Sequence, residues 1–150
     1  MKQSENRRIQ KNCILAVFIV IVLAALFTAC GNSDGDKVER FAEAASGSGE
    51  NIDIPGYETL IFAADKTTQA VNLKNPSKNA CTFVLTLILD DGKIIWTGEA
   101  LSPGMAFTRI TLNQALGRGD YVATLHYDCY SLTDNTPLNG ADIKLNIEVR

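Results

Sequence analysis

Residues 81–89 read Cys-Thr-Phe-Val-Leu-Thr-Leu-Ile-Leu, and this run limits the fold more than any other stretch of the chain. It carries no glycine, proline or charge, and half of it is β-branched or aromatic. It is short for a buried helix and suits a buried strand. Asp90-Asp91-Gly92 follows at once, a tight hairpin signal. With a period of two, Cys81, Phe83, Leu85, Leu87 and Leu89 share one face, which must be covered by other elements.

The rest of the region repeats the theme. Tyr57–Phe62, Gln69–Leu73, Lys93–Thr97, Ala106–Leu112, Tyr121–Tyr130 and Ile143–Val149 read as further strands. Asn75-Pro76-Ser77, Ser102-Pro103-Gly104 and a polar loop over 131–140 separate them, and Asn113–Leu116 reads as one helical turn. About seven short strands with frequent turns predict an all-β, immunoglobulin-like sandwich of antiparallel strands over 53–150. Leu116, Gly119 and Tyr121 match the L-x-x-G-x-Y form of a tyrosine corner, which places the Tyr121 strand next to last and the Cys81 strand beside it. The same parity sends Leu60, Phe62, Val71, Leu73, Trp96, Ile110 and Leu112 inward.

The N-terminal segment obeys different physics. Lys2, Arg7, Arg8 and Lys11 precede an apolar run from Cys13 to Leu26, followed by Phe27-Thr28-Ala29. A basic flank, an apolar run and small residues make the pattern of a secretory signal peptide over 1–29. The same run is also just long enough to serve as an uncleaved anchor. Either reading puts the remaining chain outside the membrane. Residues 30–52 read as a flexible tether, with a short helical patch near 37–45 and Ser46-Gly47-Ser48-Gly49 as linker.

Loss of residues 1–29 removes four of the 14 basic side chains and one of the 17 acidic ones, leaving 10 and 16, a net charge of −6. An acidic domain repels phosphate backbones, so nucleic acid is not an expected partner. Nor does a glycine-rich loop open a long helix, as nucleotide- or methyl-donor-dependent folds require. No cofactor is expected.

Each of the four cysteines has its own reading. Cys13 leaves with the signal peptide. Cys30, preceded by Leu26-Phe27-Thr28-Ala29 and followed by Gly31, resembles the lipobox cysteine of bacterial lipoproteins; Phe27 stands where leucine is usual. The resemblance implies a diacylated Cys30 at the mature N-terminus and membrane residence through the acyl chains. Cys81 and Cys129 remain, an even pair in an oxidising compartment. Strand parity puts both on the inner face at one end of the sheet, so a disulfide is expected, with two buried free thiols as the alternative.

Catalytic constellations are scarce. His126 is the only histidine. It falls on the outward face of its strand near Asp128, with no nucleophile at matching spacing. Asp134-Asn135-Thr136 and Asp142 offer oxygens but lack calcium-loop spacing, so turn chemistry is the expectation and no metal site is. Asp128 with Glu99 or Asp142 are the only carboxylate pairs a glycan-cleaving enzyme could use. The outward face instead carries Val84, Ile88, His126 and Tyr130, more apolar than solvent requires, and reads as a binding face.

Ile54-Pro55-Gly56-Tyr57, Ile95-Trp96, Pro103-Gly104, Leu112–Leu116, the Cys81/Cys129 pair and Pro137–Ala141 together resemble a group of small, uncharacterised surface lipoproteins of Gram-positive bacteria. That resemblance covers nearly the whole of 54–150. It implies a lipid-anchored protein on the outer face of the cytoplasmic membrane and implies no activity. The expected function is a non-catalytic binding or accessory module with a surface protein partner. A small wall- or glycan-active enzyme and a purely structural spacer are the alternatives.

Overall fold

The computed structural model describes residues 35–41 and 52–150, and every regular element among them is a strand. In chain order these are β1 (Lys37–Arg40), β2 (Thr59–Phe62), β3 (Thr68–Asn75), β4 (Cys81–Leu89), β5 (Ile94–Thr97), β6 (Met105–Thr111), β7 (Gly119–Ser131) and β8 (Pro137–Val149). They form a three-stranded sheet of order β1-β6-β3 and a five-stranded sheet of order β2-β8-β7-β4-β5. The expected signal peptide, Cys30 and most of the expected tether lie outside the described residues.

The two sheets close on one core. Phe83, Leu85, Leu87, Leu125, Tyr127 and Ile147 of the larger sheet pack against Leu73, Phe107 and Ile110 of the smaller. Two edge-to-face ring contacts sit in it. Trp96 meets Phe107 at 5.1 Å across the sheets, and Phe83 meets Tyr127 at 5.2 Å within the larger one. Such pairs add roughly 0.5–1.5 kcal/mol each beyond the area they bury. The architecture is therefore an all-β sandwich, as the strand pattern predicts.

Three buried side chains tie loops to this core. Asn75 Nδ2 donates to the carbonyls of Cys81 (2.9 Å) and Leu101 (2.8 Å). Asn79 Nδ2 donates to Asn75 Oδ1 and to the Asp53 carbonyl, both at 2.9 Å. Gln69 accepts from Ala63 N (2.7 Å) and donates to the carbonyls of Ala63 (3.0 Å) and Lys66 (2.7 Å). Each satisfies backbone groups that burial would otherwise leave unpaired.

Four expectations are corrected. Among the described residues there are eight strands where about seven were expected, because Lys37–Arg40, read as tether or helical patch, pairs antiparallel with β6. The cause is an open sheet edge combined with an anchor at Asp36, described below. The sandwich is not purely antiparallel, since β2 runs parallel to β8, with Leu60 opposite Ile147. No helical turn forms at 113–116. There Leu112 N bonds to Thr67 O and Asn113 N to Ile95 O, while Leu116 enters the core. The loop over 131–140 is mostly hairpin, because β7 and β8 stay paired out to Tyr130 and Pro137. Its tip turns through Asn135 at φ 57, with Thr136 N donating to Asp134 Oδ1 at 3.2 Å.

Candidate functional site

The expected binding residues lie together on the outer face of the larger sheet. β4 and β7 run antiparallel in strict register, pairing Thr82 with Tyr130, Val84 with Asp128, Thr86 with His126 and Ile88 with Thr124. β8 continues the face, with Asp142 opposite His126 and Lys144 opposite Thr124. Val84, Ile88, His126 and Tyr130 are all half-buried. Thr86, at their centre, is 9% exposed although it points away from the core; its hydroxyl lies 3.4 Å from that of Thr97. Sequence reading missed two apolar members of this face. Ile61 on β2 is 66% exposed and Val122 on β7 is 49% exposed. A shallow depression over β2, β8 and β7 is lined by Glu58, Thr59, Val122, Lys144 and Asn146.

His126 is clamped between two carboxylates. Its Nδ1 lies 2.6 Å from Asp142 Oδ1 and its Nε2 lies 3.2 Å from Asp128 Oδ1. A carboxylate can only accept, so both ring nitrogens donate, and that requires the imidazolium form. The hydrogen bond to Asp142 is the main reason the histidine's pKa is raised; Asp128 adds to it, and partial burial opposes it. An imidazolium held this way has no lone pair to offer, neither to a substrate proton nor to a metal. The arrangement is a charge clamp across β7 and β8. The partner Asp142 was not assignable from sequence because it depends on the β7–β8 register.

The expected tyrosine-corner residues cluster at the entrance to β7. Tyr121 Oη donates to the Gly117 carbonyl at 2.9 Å, and Leu116 is buried beneath. Gly119 has φ 150, a backbone conformation open to glycine and rarely to other residues.

The cysteine pair departs from expectation. Cys81 and Cys129 are both buried on the inner face, and both are free thiols. Cys81 lies opposite Ser131 and Cys129 opposite Phe83, so the two stand diagonally across the β4–β7 ladder. The side chains do meet in a thiol–thiol hydrogen bond. Burial pushes the Cys129 thiol up to about 11 and raises Cys81 as well, so both stay protonated and poorly nucleophilic near neutrality.

Among the described residues no cluster of three or more His, Cys, Asp or Glu side chains is arranged to hold a metal ion. Glu99, named with Asp128 as a possible carboxylate pair, sits in the loop after β5, while Asp128 is engaged with His126. No helix among the described residues is long and apolar enough to cross a membrane. No family model, curated protein or solved structure matches the chain.

Proposed function

We propose that this chain is an exported lipoprotein, acylated at Cys30 and held on the outer face of the cytoplasmic membrane. Its immunoglobulin-like domain serves as a non-catalytic binding or accessory module of a cell-surface assembly. The observation that carries the binding role is the outer face of the larger sheet. There Val84 and Ile88 flank a nearly enclosed Thr86 on β4, and Val122 and Ile61 expose apolar surface farther along the same face. A solvated sheet face gains nothing from such residues, whereas a partner surface does.

The immunoglobulin-like assignment draws support from three features. The sheet order places β4, β7 and β8 side by side, β2 runs parallel to β8, and Tyr121 bonds back across the turn before β7.

Photo-cross-linkers placed at Val122 and Ile61 in cells test the reading, with partners identified by mass spectrometry. A reproducible protein partner, lost in Val84→Lys and Tyr130→Ala while the melting temperature holds, is the expected result. Cross-linking that recovers nothing reproducible overturns the module reading in favour of a structural spacer.

A further inference from the structure

The strap from Asp36 to Phe41 determines where the chain enters the folded domain. At its start, Asp36 Oδ2 accepts from Trp96 Nε1 and Asp36 Oδ1 accepts from Thr111 N, both at 2.7 Å. At its end, Phe41 N donates to the Gly104 carbonyl at 3.1 Å, and Lys74 Nζ lies 5.1 Å from the centre of the Phe41 ring. The four β1 side chains between are exposed. Backbone pairing and the two end clips hold the strap, not burial. The fold therefore begins at Asp36, six residues after Cys30. Six residues of extended chain reach about 20 Å at most.

Strand register defines the end of the sandwich at which this entry lies. Lys37 pairs with Arg109, close to where β6 finishes and β3 starts. The ends of β4 and β8 and the starts of β5 and β7 lie there too, since Leu89 pairs with Ala123 and Gly119 with Val149. Lys37, Lys66, Lys93, Arg118 and Arg150 are exposed at this end, offset by Asp36, Asp65, Asp90, Asp91, Asp120 and Glu148. The opposite end carries Arg40, Lys74 and Lys78 with Asp53, Glu99 and Asp134, and Lys78 is paired with Asp53 at 2.9 Å, so net charge does not separate the two ends.

We propose that the end carrying loops 63–67, 90–93 and 112–118 rests against the lipid headgroups, and that the hairpin tip over 132–136 and the loops 76–80 and 98–104 are displayed away from the membrane. The proposal rests on acylation of Cys30. The short reach from Cys30 to Asp36 keeps this end close to the bilayer. The outer face of the larger sheet then stands upright, open to a partner from the side.

The test uses the full chain, matured in cells, recovered from membranes and reconstituted in phosphatidylglycerol vesicles containing nitroxide-headgroup lipid. Fluorophores on Lys66→Cys and Glu99→Cys report the two ends, since Cys81 and Cys129 are buried. The expected result is stronger quenching at residue 66 than at residue 99. Inserting a Gly-Ser run as long as segment 42–51 between Ser33 and Asp34 keeps the strap but lengthens the reach, and the difference should be lost. Asp36→Ala should also diminish it by loosening the strap. Equal quenching at both ends of the parent protein overturns the orientation, as does a difference that survives the insertion. An intact mass lacking diacylglycerol, with no flotation on vesicles, overturns the acylation reading instead and takes the proposal with it.

Discussion

The indole Nε1 of Trp96 donates to the carboxylate of Asp36 at 2.7 Å, joining residues 60 positions apart. The same carboxylate accepts from Thr111 N. One short acidic side chain thus fastens an N-terminal strand with little apolar content to the hydrophobic body of the domain. Asp36→Ala leaves a largely buried indole N–H and a backbone N–H without their acceptor. A loss of about 1.5–3 kcal/mol is expected for hydrogen bonds to a charged group. Denaturant unfolding measures it, and Trp96, the only tryptophan, reports the same site through a change in its native emission.

The His126 clamp makes stability depend on pH in a defined direction. Its folded pKa is raised, chiefly by the hydrogen bond it donates to Asp142. The stabilisation is complete below the unfolded value of about 6.5 and is lost as pH rises through the folded value. His126→Gln should flatten that dependence. Because the ring and both carboxylates are more than a third exposed, the effect should be small and should shrink with added salt. Urea midpoints across the range, with and without salt, decide it; a midpoint rising with pH in the parent and not in the variant contradicts the assignment.

The two inner thiols should be silent in the native state and present on unfolding. Neither Cys81 nor Cys129 should react with a thiol reagent at neutral pH, because both are buried and held protonated. Denaturation without reductant should release both. Denatured protein that shows neither thiol would mean a bridge.

Gly140 is the most tightly enclosed glycine of the domain. A Cβ there would lie 2.2 Å from the Tyr127 carbonyl oxygen, beside the irregularity between Tyr127 and Cys129 in the β7–β8 ladder. Gly140→Ala must displace backbone, with an expected cost of about 1–3 kcal/mol as for other overpacked sites. Thermal unfolding gives the magnitude. Amide exchange should rise at the hairpin end of β7 and β8 and stay unchanged in β3 and β6.

The sandwich was legible where local pattern and burial agree. Cys81–Leu89 is bounded by turn residues and apolar throughout, so its limits can be read to the residue. Inward residues such as Leu60, Phe62, Trp96 and Ile110 follow from alternation alone. What escaped depends on partners distant in sequence. Lys37–Arg40 holds a single apolar residue, and its strand state is imposed by the free edge of β6 and by Asp36. The Asp142 contact to His126 and the offset of the cysteines are both set by register, and a shift of one or two residues would alter them. The hairpin tip is polar, so its pairing leaves no hydrophobic trace.

The parallel pairing of β2 with β8 has a consequence for the order in which the molecule can be assembled. β8 occupies an interior position, bonded to β7 on one side and to β2 on the other. Until residues 137–149 are available, β2 has no neighbour in its sheet and the edge of β7 stands open. A chain made or threaded from its N-terminus must wait with Leu60 and Phe62 uncovered, and contacts of such long separation form slowly. Leu60 and Phe62 therefore join their sheet only once the last strand is in place.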